Sequence, residues 1–353
     1  YIKNRVDKAG LMVPALSTPA LCSPACTLPK FSVGDISQMT DLRSKYLPAI
    51  FILFAGTLLL LSAWIFLENR HITQLEDMLR ETRIELGRAR LEAARSCEPD
   101  PSAGEPPESE NTVPDRAVPG EGLSATDILA GTRVIAHGMG AVDEIWTEGS
   151  APLNCLEGFL ERYEAGVRVF EADLRLTRDG KVVLRHDWWP ADWQEGINGA
   201  SVPTREEFLS KPIFGVYTPL SFRDLLLLLK EYPDVCIITD TKFTDPDVIF
   251  IEFASMLADA RDLGCLGLFD RIVIQLYSGV MRQCLDNIYP FPHRIYTLYA
   301  EGFDQTAAAF RERAAYCAEK GIEGIVIWDG WWDPAYASVA REYGLTVYVH
   351  TVN

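Results

Sequence analysis

Basic residues are in short supply. The chain of 353 residues has 33 Lys+Arg against 50 Asp+Glu, a net charge of −17. A nucleic-acid binder needs a basic footprint, so that class is excluded. Metal-binding or redox cysteine pairs are missing too. None of the eight cysteines forms a C-x-x-C, which argues against a zinc ribbon, a thioredoxin-type site or a small disulfide scaffold. The composition of a disordered chain is also absent. With 48% hydrophobic and 10% aromatic residues, the chain can build one large or two ordinary domains with a real core.

Long uncharged runs are equally rare, and one stands out. Residues 47–67, LPAIFILFAGTLLLLSAWIFL, hold 21 positions without a charge. A bilayer core needs about 20, so this run is expected to be a transmembrane helix rather than a buried core helix. Trp64 fits the interfacial preference of aromatic residues. No small-residue cleavage site follows convincingly, which favours a retained anchor over a removed signal peptide. Arg43 and Lys45 precede the span. That slightly favours the amino end inside, with a single pass through the cell membrane and an extracytoplasmic domain beyond it. Residues 1–46 are expected to be a disordered or non-native N-terminal segment. Up to residue 38 they are rich in Pro, Ser and Thr, and the layout of a signal anchor opens at Met39.

Residues 68–96 read as a stalk. Ile72, Leu75, Leu79, Thr82, Leu86, Ala89 and Ala93 recur at alternating spacings of three and four, a heptad seam. It predicts a short parallel coiled coil and a homo-oligomer through 72–93. A single solvated helix is the plainer alternative. Residues 97–122, acidic and rich in Pro and Glu, read as a linker.

From 123 to 353 the pattern changes to short β-branched runs alternating with amphipathic stretches. Strands are predicted at 133–137, 168–174, 235–241, 271–277, 294–299, 324–328 and 345–351. Helices are predicted at 154–165, 219–231, 246–263, 304–320 and 334–343. Alternation of this kind builds parallel βαβ units. An α/β fold of the TIM-type (β/α)8 class follows, in which residues 181–185 return from the second strand as a hairpin. The last strand and helix are expected to be missing from this chain.

In such a barrel, chemistry sits where strands end. The first strand ends in His137, and the second carries Glu171 and Asp173 on one face. The hairpin return gives His186, the third strand Asp240 and Lys242, and the seventh His350. Like-charged carboxylates that share a buried site need a cation. Glu171, Asp173 and Asp240 form a hard oxygen set suited to Mg²⁺ or Ca²⁺.

The ordered motifs carry a resemblance. They are His137-Gly138-Met139-Gly140, Ala151-Pro152-Leu153-Asn154, Glu171-Ala172-Asp173 running to Thr177-Arg178-Asp179-Gly180, Val182-Val183-Leu184-Arg185-His186-Asp187, Asp240-Thr241-Lys242 and His350-Thr351-Val352-Asn353. Over about 133–353 this set resembles the superfamily of glycerophosphodiester phosphodiesterases and phosphatidylinositol-specific phospholipases C, in a poorly characterised bacterial branch. The resemblance implies Glu171, Asp173 and Asp240 as ligands of a divalent metal, and His137 and His186 as the acid/base pair. It implies Lys242 as a phosphate contact, with Asn154 and His350 at matching positions of the substrate site. Trp188 and Trp328, among six tryptophans near these loops, offer either a platform for a sugar, a choline-like cation or a lipid interface, or plain loop packing over the barrel mouth. Four departures stand out: Gly138 replaces the Arg of H-R-G, Leu153 the Glu of P-E-N-T, Asp240 a Glu ligand, and His350 the Trp of W-T-V-N.

The expected function is a membrane-anchored, metal-dependent phosphoric diester hydrolase acting on a glycerophosphodiester or a phospholipid headgroup. A tethered binding module that has lost turnover and a sphingomyelinase D-type phospholipase are the alternatives. Cys155, Cys236, Cys265, Cys284 and Cys317 are expected to be buried thiols without a nucleophilic role.

Overall fold

The computed structural model describes residues 2–5, 81–82, 84–93, 95–96, 123–142, 153–188 and 193–352. Nine strands form one sheet. They are β1 (Ile2–Arg5), β2 (Val134–Ala136), β3 (Val169–Leu176), β4 (Val182–Leu184), β5 (Cys236–Asp240), β6 (Ile272–Leu276), β7 (His293–Thr297), β8 (Gly324–Trp328) and β9 (Thr346–Val352). The described helices are α1 (Ala125–Ala130), α2 (Leu156–Glu164), α3 (Arg205–Leu209), α4 (Phe222–Glu231), α5 (Pro246–Asp262), α6 (Gly279–Ile288), α7 (Ala307–Glu319) and α8 (Pro334–Glu342).

From β3 through β5, β6, β7 and β8 to β9 the pairings are parallel, and β2 joins β3 in parallel at Ala136 and Phe170. This is the curled parallel sheet of an α/β barrel, with β4 folded back antiparallel on β3 as the predicted hairpin. Among the described residues the parallel strands number seven, and the eighth place is filled from the amino-terminal segment. β1, from the segment expected to be without regular structure, pairs antiparallel with both β2 and β9. Two strand edges facing each other carry rows of backbone donors and acceptors, and a short extended segment satisfies both.

Side-chain alternation sorts the strands into two cores. Outward residues such as Phe170, Ile237, Ile274, Tyr296, Ile325 and Val347 pack under the helices. Inward residues Ile135, Val169, Ile238, Val273, Ile295, Val326 and Tyr348 form one apolar layer, closed by Ala125, Ile128 and Leu129 of α1. Because strand side chains alternate with period two, the next inward layer is two residues further along each strand. It reads His137, Glu171, Asp240, Gln275, Thr297, Trp328 and His350. An apolar floor under a polar rim follows directly from that register.

The helices start where the sequence supplies caps. Ser221 and Asp224 form a capping box at α4, and Asp245 accepts from the amides of Asp247 and Val248 ahead of α5. Among the described residues no helix is long and apolar enough to cross a membrane. The span at 47–67 lies outside the described residues, as do the linker at 97–122 and the seam positions Ile72, Leu75 and Leu79.

The described helical residues 84–93 have two faces. Ile84 packs against the barrel core and Leu91 is buried in it, while Leu86, Ala89 and Ala93 are exposed. Arg88 donates to Glu157 Oε1 at 2.6 Å and Arg95 grips both oxygens of Asp224 at 2.8 and 2.9 Å. The helical residues 84–93 thus dock on the barrel through the face that the heptad seam does not use.

Candidate active site

The site forms where β2, β3 and β5 end. After β2 the chain makes a tight turn, His137–Met139, with Gly138 at φ 55°, Met139 at φ 60° and Gly140 at φ 98°. A side chain on Gly140 would collide with the carbonyl of Gly158 at 2.6 Å, so the turn sits directly on the start of α2. This turn aims the Gly138 amide at Glu171, donating to Oε2 at 2.7 Å. It also sets the His137 Nε2 atom 3.6 Å from the same oxygen.

Glu171 and Asp173 are buried side chains two apart on β3. Asn154, with a left-handed φ of 54°, receives the Asp173 amide on Oδ1 at 3.0 Å and donates through Nδ2 to Asp173 Oδ2 at 2.9 Å. Its own amide donates to the Gly138 carbonyl at 2.9 Å. Asn154 therefore ties the β2 turn to Asp173.

Lys242 stands just past β5, again with a left-handed φ, of 58°. Its ammonium donates to Asp173 and lies 3.7 Å from Asp240. Met139, Asn154 and Lys242 thus concentrate backbone strain of order 1–3 kcal/mol each around one site. Burial alone would lower the Lys242 pKa, but Asp240, Asp173 and Glu171 outweigh it and raise it. Burial alone would raise Asp173, yet the Lys242 ammonium and the nearby His186, with hydrogen bonds from Lys242 and Asn154, hold it below the ordinary carboxylate value.

Asp240 faces Asp173 across the β3–β5 ladder. Tyr277 donates to its Oδ1, and Gln275 Nε2 donates to the same atom at 3.2 Å. Tyr299 completes this cradle, 3.1 Å from Gln275 Nε2 and 3.3 Å from the Tyr277 hydroxyl. Burial first, and then the Asp240 charge, push both phenols up, so they act as neutral donors. Sequence reasoning missed Gln275, Tyr277 and Tyr299. Their signal was the inward register of the sixth and seventh strands.

His186 lies past β4, its Nδ1 2.5 Å from Asp187 Oδ2. His350 packs against the Tyr299 ring at 4.8 Å, which brings it to the same rim. The two tryptophans lie in other clusters. Trp188 sets its edge on Phe208 at 6.0 Å in a small core with Val183 and Ile197, and Trp328, 42% exposed, stands against Trp331. The described cysteines are free thiols. All but Cys284 are buried, and burial pushes the Cys317 thiol up to about 12.

His137, Glu171 and Asp173 offer ligand atoms that all lie within 4.8 Å of one another. Asp240 adds a third carboxyl beside them, and Lys242 is the ammonium that faces all three. One ammonium against three carboxyl groups leaves an excess of negative charge that a divalent ion would balance. Carboxylate oxygens suit Mg²⁺, Ca²⁺ or Mn²⁺. The donor set fits such an ion. A cleft of about 1010 Å³ on the α1–α2 flank, lined by Arg133, Arg162 and Arg168, contains none of these groups.

Comparison with known proteins bears on this arrangement. The sequence profile of the glycerophosphoryl diester phosphodiesterase family matches residues 147–205, which include β3, β4, Glu171, Asp173 and His186. Among solved structures, the fold is similar to a protein from Silicibacter pomeroyi DSS-3 assigned as a glycerophosphoryl diester phosphodiesterase. The TM-score is 0.50 at 21% identity, over 62% of this chain and 82% of that one. A glycerophosphodiester phosphodiesterase from Parabacteroides distasonis gives 0.47 at 18% identity, covering 62% and 84%. A phosphodiesterase from Oleispira antarctica, solved with the product sn-glycerol-3-phosphate, gives 0.47 at 16% identity, covering 62% and 84%.

Proposed function

We propose that this chain, which belongs to the glycerophosphodiester phosphodiesterase superfamily, hydrolyses a phosphoric diester at the rim formed by β2, β3 and β5, with a glycerophosphodiester or a phospholipid headgroup as substrate. The observation that carries the reading is the gathering of Glu171, Asp173, His137 and Lys242 around one point at the end of β3. Asp240 and Lys242 border it from β5.

Glu171 and Asp173, with Asp240 beside them, would hold a divalent cation, which supplies Lewis-acid stabilisation of the charge that builds on the phosphoryl oxygens. The rest is the work of side chains. Lys242 offers a second positive charge to the same oxygens. His137 takes the proton of the attacking hydroxyl or water, and His186 returns one to the leaving oxygen. Imidazole suits both tasks because its unperturbed pKa of about 6.5 makes both forms available near neutrality. Tyr277 and Gln275 hold Asp240 in place without adding charge.

The run at 47–67 supports a membrane anchor, and Arg43 and Lys45 support an extracytoplasmic barrel. The exposed residues Leu86, Ala89 and Ala93 leave the heptad seam available for a second copy through 72–93. The test of the enzymatic reading is hydrolysis of bis(p-nitrophenyl) phosphate by the detergent-solubilised chain. Turnover should stop with EDTA and return with Mg²⁺, Mn²⁺ or Ca²⁺. Binding of a diester with no turnover under any of these ions would favour the tethered binding module instead.

A further inference from the structure

Three same-face residues follow one another along β3: Glu171, Asp173 and then Arg175. The first two have a place in the reading above. The third has none, yet its contacts are specific. Arg175 Nε donates to the His186 carbonyl at 2.9 Å, and Nη2 donates to Asp187 Oδ1 at 2.8 Å. The other oxygen of Asp187 meets His186 Nδ1 at 2.5 Å. The guanidinium lies 5.4 Å from the centre of the Phe243 ring, next to Lys242 in the chain.

We propose that Arg175 is the positioning residue of His186: it clamps the backbone of His186 and the carboxylate of Asp187 together, fixing the imidazole with its hydrogen on Nδ1 and Nε2 turned to the substrate. This rests on the diesterase reading for its kinetic consequence, but the tautomer it fixes does not depend on activity.

A carboxylate can only accept, so the 2.5 Å contact puts the hydrogen on Nδ1. Nε2 is then the atom that exchanges a proton with substrate. Next, the two acceptors of Arg175 belong to different residues and different groups, a carbonyl and a carboxylate. A planar fork reaches both at once, and a single ammonium does not. Finally, among the described residues Asp187 is the carboxylate that pairs with Arg175. Glu252 of α5, within electrostatic reach of Arg175, is fully buried with neither carboxyl oxygen in a hydrogen bond. Burial raises its pKa well above the ordinary value.

The experiment uses the full chain in detergent, ¹⁵N-labelled at histidine, with Arg175→Met, Arg175→Lys and Asp187→Asn. Two quantities are read: the His186 tautomer from its ring ¹⁵N shifts, and kcat and KM on a diester with a poor leaving group. Wild type is expected to show the Nδ1–H form. Arg175→Met and Asp187→Asn should show mixed tautomers, with kcat down about 10²-fold and KM little changed. Arg175→Lys should be intermediate, and guanidinium added to Arg175→Met should recover part of kcat. Should Arg175→Met not fold, Asp187→Asn, altered at a half-exposed side chain, decides the point. An unchanged tautomer and unchanged kcat in a folded variant overturn the clamp. A tautomer that shifts in a protein with no diesterase activity upholds the clamp and sinks the functional reading instead.

Discussion

Asp173 is the residue on which most of the site's forces converge. It is buried, yet Lys242, His186 and the Asn154 amide keep it ionised. Its lowered pKa contributes stability above the ordinary carboxylate range, and that contribution is lost as pH falls through the folded value. Lys242→Met removes the ammonium from this balance. We expect kcat/KM on diesters to fall by about 10²–10³-fold, as when one preorganised donor to a developing oxyanion is lost. A scanning calorimeter should also show a lower Tm in EDTA for this variant, largely restored by Mg²⁺. Glu252 gives the opposite sign. Its pKa is raised above its ordinary 4.5, so the folded state binds a proton that the unfolded state releases above that pH. Its contribution is complete below 4.5 and is lost as pH rises toward the folded value. Glu252→Gln should therefore raise Tm more at pH 8 than at pH 5. An equal shift at both would contradict the raised pKa of this buried carboxyl.

Secondary-structure elements were legible to different degrees, and the reasons are physical. Each parallel strand is a β-branched run with an inward residue every second position, so β3 and β5 to β9 could be read from period and length. The hairpin at β4 was legible because Arg178-Asp179-Gly180 is a turn and Gly180 adopts φ 69°. Helices α1, α3 and α6 were missed. The first two have six and five residues, too short for a 3.6-residue period to show. Glu171, Asp173, Lys242 and the two histidines were readable because charge at a strand end is conspicuous. Tyr277 and Tyr299 were not, since a phenol at a strand end reads equally well as core. The face of the helical residues 84–93 that packs was also illegible. The heptad pattern pointed to Leu86 and Ala89, and the barrel took Ile84 and Leu91. Arg88→Ala leaves the buried Glu157 without its ion-pair partner. Because Arg88 is itself 40% exposed, we expect a loss of about 1 kcal/mol, read from urea unfolding. Leu86→Asp should leave that stability unchanged and lower the sedimentation mass of the detergent-solubilised chain if the seam joins two copies.

At the scale of the barrel, one sheet supplies both floor and rim, because β2, β3, β5, β6, β7 and β9 each run from an apolar inward residue to a polar one two positions later. Function is thereby concentrated at the strand ends of β2, β3 and β5, with His186 brought in by the hairpin. A divalent ion bound there only in the folded state should stabilise the barrel by about 2.7 kcal/mol at a hundred times its Kd, a rise in Tm that Glu171→Gln should abolish. The central claim is that two histidines and this acidic cluster act together on a diester. The most direct measurement is ³¹P NMR of a glycerophosphodiester incubated with the full chain and Mg²⁺, compared with His137→Ala and His186→Ala. Wild type should convert the diester signal to a monoester. Each variant should be slower by about 10²–10⁴-fold, and the double variant little slower than the worse single one. A diester signal consumed equally fast by all three histidine variants and wild type would contradict the account.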